Sequence, residues 1–159
     1  MLELVVAPDD FLKKPCRDIT PEEFKAGSAD GLNLVQFAND LVIAMKHYRG
    51  IGLAAPQVRV GLRVFAINTE KKSLVVFNPT ITEISGSYLS DEGCLSIPGV
   101  SGTVRRHRSL RLRGFGPTGL RIDVKLEKLM AAVAQHEFDH LDGVLFVDKA
   151  INGSLTQGQ

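Results

Sequence analysis

The stretch Gln135-His136-Glu137-Phe138-Asp139-His140-Leu141-Asp142-Gly143 (QHEFDHLDG) lies near the C-terminal end of the chain. Four residues turn an α-helix by about 400°, so His136 and His140 lie about 40° apart and both imidazoles reach one point beside the helix. Glu137 stands close to the same face, where a carboxylate can serve as general base next to a metal ion. Leu129 and Val133 precede His136 on this face and make an apolar wall, the kind of pocket that takes an aliphatic side chain. The pattern predicts a helix from about Lys125 to Leu141. Two histidines do not complete a metal site, so the rest of the chain is read for a third ligand.

The other histidines are His47 and His107. His47 falls near the end of the first long helix, where a histidine favours the C-terminal dipole. His107 lies in a run of arginines, and several acids could also serve on composition alone. Cys94, in Glu92-Gly93-Cys94-Leu95-Ser96, is flanked by glycine in a β-rich stretch ending at Pro98-Gly99. Its sulfur can turn inward, and a thiolate binds Fe or Zn well. It can equally be a small buried apolar residue, as free cysteines often are. Spacing leaves that choice open.

A third stretch, Gly50-Ile51-Gly52-Leu53-Ala54-Ala55-Pro56-Gln57, is dense in small residues, which let a backbone approach another backbone or a ligand closely. Gln57 follows with an amide that can donate a hydrogen bond. The glycine spacing matches neither a phosphate-binding loop nor a dinucleotide-binding turn. Without its neighbours the stretch reads as a turn with a helix-like run.

The chain has 159 residues, enough for one domain with a real core. A net charge of +1 gives no bulk electrostatic case for nucleic acid or membrane as main partner. The local basic run Arg105-Arg106-His107-Arg108, continuing to Arg111 and Arg113, reads as a solvated strand face, with Leu110 and Leu112 on the opposite side. The other reading is a patch that docks a polyanionic partner. Two cysteines, Cys16 and Cys94, are not a disulfide framework, and a reduced, cytoplasmic setting is the default. No apolar run approaches the roughly 18 residues needed to span a bilayer.

Thr20-Pro21-Glu22-Glu23 reads as a capped helix start. A helix is expected from Gly31 to Tyr48, with Val35, Ala38, Leu41, Val42, Met45 and Tyr48 as its apolar face, ended by Arg49-Gly50. The middle is β-prone at Arg63–Ile67, Leu74–Phe77 and Ser109–Arg113, punctuated at Asn78-Pro79 and Gly116-Pro117. Helix, then strands, then helix argues for an α+β fold. The expectation is a single compact domain over residues 1–150, mainly antiparallel sheets around the C-terminal helix, with residues 151–159 as a short frayed tail.

Taken together and in order, GIGLAAPQ, EGCLS and QHEFDHLDG resemble the three signature motifs of peptide deformylases. Phe77-Asn78-Pro79 and Gly143-Val144-Leu145-Phe146 are also similar, and the resemblance runs from about Leu2 to Lys149. It implies that Cys94, His136 and His140 hold the metal, with water as fourth ligand, and that Glu137 is general base and then general acid. Gln57 and the backbone N–H of Leu95 would hold the oxyanion. Gly52, with Ile51, would meet the substrate backbone, and Leu129 and Val133 would seat the methionine. The implied ion is Fe2+, with Zn2+, Ni2+ or Co2+ able to substitute. The implied partners are N-formyl-methionyl nascent peptides and, transiently, the ribosome. Three departures stand out. Ser101 stands where many bacterial members carry an arginine that meets the substrate backbone, so that contact is either missing or supplied from elsewhere, with Arg106 as one candidate. Lys128 stands where members often have glycine. About ten residues follow Lys149, where many bacterial members continue into a C-terminal helix linked to ribosome association, which puts docking through such a tail in doubt. The rival readings from the residues alone are a metalloprotease sharing the two-histidine helix, and a non-catalytic metal- or peptide-binding module.

Overall fold

The computed structural model describes residues 1–158; Gln159, the last residue of the expected tail, lies outside them. Three α-helices occur, α1 (Pro21–Ala26), α2 (Leu34–His47) and α3 (Lys128–Leu141). The strands are β1 (Ser28–Ala29), β2 (Leu32–Asn33), β3 (Gly52–Ala54), β4 (Val64–Asn68), β5 (Ser73–Ser85), β6 (Tyr88–Cys94), β7 (Ile97–Arg106), β8 (Ser109–Phe115), β9 (Arg121–Glu127) and β10 (Thr156–Gln157). They form an antiparallel five-stranded sheet in the order β3-β4-β5-β8-β9, a three-stranded sheet in the order β10-β7-β6, and the small β1-β2 pair. This is the expected α+β domain.

The large sheet lies between two helices. Val64 and Ala66 of β4 pack toward α2, while Phe65 and Ile67 pack toward α3. Both faces of β4 are therefore buried, and its sequence is an unbroken apolar run rather than an alternation. The basic run on β8 does alternate, with Leu110 and Leu112 buried and their neighbours toward solvent. Among the described residues no helix is long and apolar enough to cross a membrane.

The start of α1 is capped as expected: Glu23 N–H donates to Thr20 Oγ1 and Thr20 N–H to the Glu23 carboxylate, at 3.1 and 2.9 Å. Helix α2 begins three residues later than expected, because residues 28–33 pair as β1 and β2 and Asn33 becomes the cap. Its buried face is Leu34, Phe37, Ala38, Leu41, Ala44 and Met45, and Val35 is 45% exposed. The larger Leu34 and Phe37 turn the helix and take the core positions.

Helix α3 also starts three residues late. β9 stays paired to β8 through Ser109↔Glu127, and Lys128 makes the turn with a φ of +53°, a conformation costing a non-glycine residue about 1–2 kcal/mol. Asn78-Pro79 does not end a strand. It sits inside β5, where the register shifts, and the Asn78 amide exchanges two hydrogen bonds with the Ile19 backbone. The segment from Ile151, expected to fray, instead runs along β7: Ile151 N–H donates to Thr103 O at 2.8 Å, and Thr156 and Gln157 pair with Ser101 and Val100.

Candidate active site

The β6–β7 hairpin and helix α3 meet at one point. The β6–β7 hairpin turns at Leu95-Ser96 and carries Cys94 at its tip, facing α3. Cys94 Sγ lies 3.4 Å from His140 Nε2, and the ligand atoms of Cys94, His136 and His140 all lie within 4.8 Å of one another. His47 and His107 are elsewhere. His47 packs edge-on against Tyr48, and the His107 backbone is held by the Gln135 side chain.

The trio stands at the head of an open cleft of about 610 Å³. Ile51, Gly52, Gln57, Leu95, Leu129 and Val133 all line it, so every residue proposed for substrate contact reaches one space. Val133 is buried, whereas Leu129 is 54% exposed and forms the outer wall. Gln57 is locked: its Oε1 accepts from Ala54 N–H, and its Nε2 donates to Ser96 Oγ and stands 3.6 Å from Cys94 Sγ. One amide hydrogen is thus taken by Ser96 and the other is directed toward Cys94 of the trio. Gly52 presses on Glu137, since a Cβ there would sit 2.5 Å from Glu137 Oε2. This is the close approach that the small-residue run allows.

Glu137 itself is buried, and its Oε1 has no partner among the described residues. Burial, only partly offset by His136 and Arg106, pushes its carboxyl up to about 7. Glu92 behaves oppositely. Burial would raise it, but hydrogen bonds from Arg106 and His136 outweigh burial and hold it at about 2. Cys16, the other free cysteine, is a half-buried thiol pushed up to about 11 by burial, with no metal-binding group around it among the described residues.

Sequence reasoning missed the groups behind His136. Its Nδ1 lies 2.9 Å from Glu92 Oε1, and its ring stacks on Phe146. Arg106 forks onto both oxygens of Glu92 and reaches Asp139, with its side chain only 3% exposed. Arg106 is thus turned away from the cleft and fully engaged, so it does not replace the substrate contact that Ser101 lacks. Ser101 itself bonds to Thr156. Strand alternation on β7 was the available signal, since it turns Val104 and Arg106 inward and Arg105 outward.

A thiolate and two imidazoles suit Fe(II) or Zn, and three ligands leave a coordination position open for reaction, as in metal-dependent hydrolases. The comparisons name the family. The model of the polypeptide deformylase family matches residues 1–155. A peptide deformylase of Carboxydothermus hydrogenoformans is 37% identical over 153 residues, covering 94% of this chain and 93% of the relative. One from Pelotomaculum thermopropionicum is 41% identical over 120 residues, 76% of this chain and 77% of the relative. The crystal structure of the Thermotoga maritima peptide deformylase superposes with a TM-score of 0.86 at 34% identity, covering 95% of this chain and 98% of that one. The chain belongs to the peptide deformylase family, metal-dependent hydrolases that act on the formylated ends of nascent peptides.

Proposed function

We propose that Cys94, His136 and His140 hold one Fe2+ ion, which Zn2+, Ni2+ or Co2+ can replace, and that the cleft beside them takes the formyl-methionyl end of a nascent chain. The observation that carries this reading is the unpartnered, buried Glu137 oxygen beside the three ligand atoms. A purely structural metal needs no such group.

The peptide fits an edge-strand geometry. β3 ends the large sheet and β6 ends the smaller one, and Gly52 and Gly93 from these strands both line the cleft. An extended chain entering there can add backbone hydrogen bonds to either edge. Leu129 and Val133 then receive the methionine side chain, and Ile51 borders the entering backbone.

When bound, the ion polarises the formyl carbonyl and lowers the pKa of the attacking water. Glu137 accepts the proton that water loses as its oxygen bonds to the formyl carbon. The Gln57 amide and the Leu95 backbone N–H donate to the oxygen that gains negative charge, each donor worth roughly 10²–10³ in rate. Glu137 then passes the proton to the amine nitrogen as the C–N bond breaks, leaving formate and a free α-amine. A carboxylate that takes the proton and returns it in this way is worth typically ~10²–10⁴-fold.

A cytoplasmic setting with transient ribosome contact accords with such a substrate. Arg105 and Arg108 are the basic-run cations left for that contact, because Arg111 and Arg113 pair with Glu83 and Asp123. Protein loaded with Fe(II) or Ni(II) should release formate from a formyl-Met peptide. No release above a metal-free blank would overturn the assignment.

A further inference from the structure

Behind the trio, four charged side chains from four parts of the chain meet, three of them buried and Lys149 at the solvent edge. Glu92 comes from β6, Arg106 from β7, Asp139 from α3, and Lys149 from just beyond the 3₁₀ turn at Phe146–Asp148. Arg106 Nε and Nη2 donate to the two Glu92 oxygens at 2.8 Å each, and Nη1 donates to Asp139 Oδ2 at 2.7 Å. Lys149 Nζ closes the row on Asp139 Oδ1 at 3.0 Å. Two cations balance two carboxylates, so the cluster is neutral without His136.

Such a cluster is a poor stabilising device. Replacing a buried ionic group by well-packed apolar side chains is often neutral or favourable. Its geometry does have a consequence for the metal centre. A Glu92 carboxylate that already accepts from the guanidinium at both oxygens can only accept from His136 as well. His136 must therefore carry its hydrogen on Nδ1, which leaves the Nε2 lone pair for the ion. His140 has no equivalent support, since its buried Nδ1 lacks a partner among the described residues.

We propose that Arg106 is a positioning residue: by clamping Glu92 between its fork and Asp139, it fixes the ring orientation and tautomer of His136 for metal binding. This rests on the metal-centre reading above. The fork is essential to it. A lysine keeps the charge but is a single point donor and cannot hold both carboxylates in one plane.

The test is cobalt binding by the full chain, followed through the thiolate-to-cobalt charge-transfer band, for wild type, Arg106→Met and Arg106→Lys. Thermal melts of the metal-free proteins run beside it. Groups that orient a histidine ligand typically contribute 10–100-fold to metal affinity. Both variants should bind Co(II) 10–100-fold more weakly, Arg106→Lys while still melting cooperatively, and saturating Co(II) should restore most formate release. Lys149→Met, at the solvent end of the row, should weaken binding by no more than about fivefold. Wild-type affinity in Arg106→Lys overturns the proposal, as does failure of both Arg106 variants to fold, which would make the cluster a folding element. A wild-type chain that binds Co(II) without the thiolate band would instead overturn the metal-centre reading.

Discussion

The two sides of α3 at His136 are built on opposite rules. Behind the ring, Glu92, Arg106, Asp139 and Lys149 are joined by hydrogen bonds and ion pairs. In front of it, Glu137 Oε1 is buried with no partner. Both sides bury charge-bearing groups, yet the first compensates the burial and the second does not. A buried polar group without a partner calls for an explanation, and a catalytic role is one. On the proposed reading, the cleft side reacts and the rear side holds the His136 ring in place.

Substitutions can separate the two sides. Glu137→Gln is isosteric and removes the base, so turnover at saturating metal should fall by about 10²–10⁴, with metal content and melting temperature kept. A stability loss matching the activity loss would erase the distinction. Asp139→Ala should do the reverse. It strips one partner from a buried cation and should cost on the order of 3–5 kcal/mol in a denaturant titration.

The acid dependence of the metal-free protein sharpens the contrast further. Glu137 is raised from an ordinary 4.5 to about 7, so its contribution is intact below about pH 4.5 and is lost as pH rises through 7. Glu92 is lowered to about 2, so its contribution is intact above about pH 4.5 and is lost as pH falls toward 2. In chelator, the stability of the wild type relative to Glu137→Gln should decline by a few kcal/mol between pH 4.5 and 7, a difference in which the opposite effect of His140, held well below its ordinary value by burial, cancels. An unchanged slope in the variant would assign it to another group. The smallest effect is expected at the outer wall. Leu129→Ala should raise KM for a formyl-Met peptide about tenfold with kcat nearly kept, the scale of a trimmed apolar contact.

Much of the cleft side was legible in the sequence. A histidine pair four apart with glutamate beside it can do little else on a helix, and Leu129 and Val133 follow from the same period. The capping box at Thr20 and the Leu110–Leu112 alternation were equally local signals. The rear side was legible only as a strand alternation that turns Arg106 inward. Its partners were not, because only the pairing of the β6–β7 hairpin and the packing of α3 bring Glu92 and Asp139 to it. The choice of Cys94 as third ligand needed either the family resemblance or the fold, because no local rule distinguishes it from a buried thiol. Helix starts at α2 and α3 shifted because neighbouring strands claimed the preceding residues. The strand pairing of Thr156 and Gln157 was hidden in a polar, glycine-containing segment.

By itself, the sequence determined what short-range geometry can encode: the periodicities of α3 and β8, the α1 cap, and two histidines with a glutamate beside one helical face, the proposed ligands and base. The tertiary structure alone decided that the hairpin carrying Cys94 meets that face, and that Arg106 closes the ring of charges behind it. The physical reason is range. Helical and strand periods act over a few residues, whereas the contacts joining Cys94 to His140 and Glu92 to His136 span 46 and 44 residues and exist only once two separate sheets have packed on one helix.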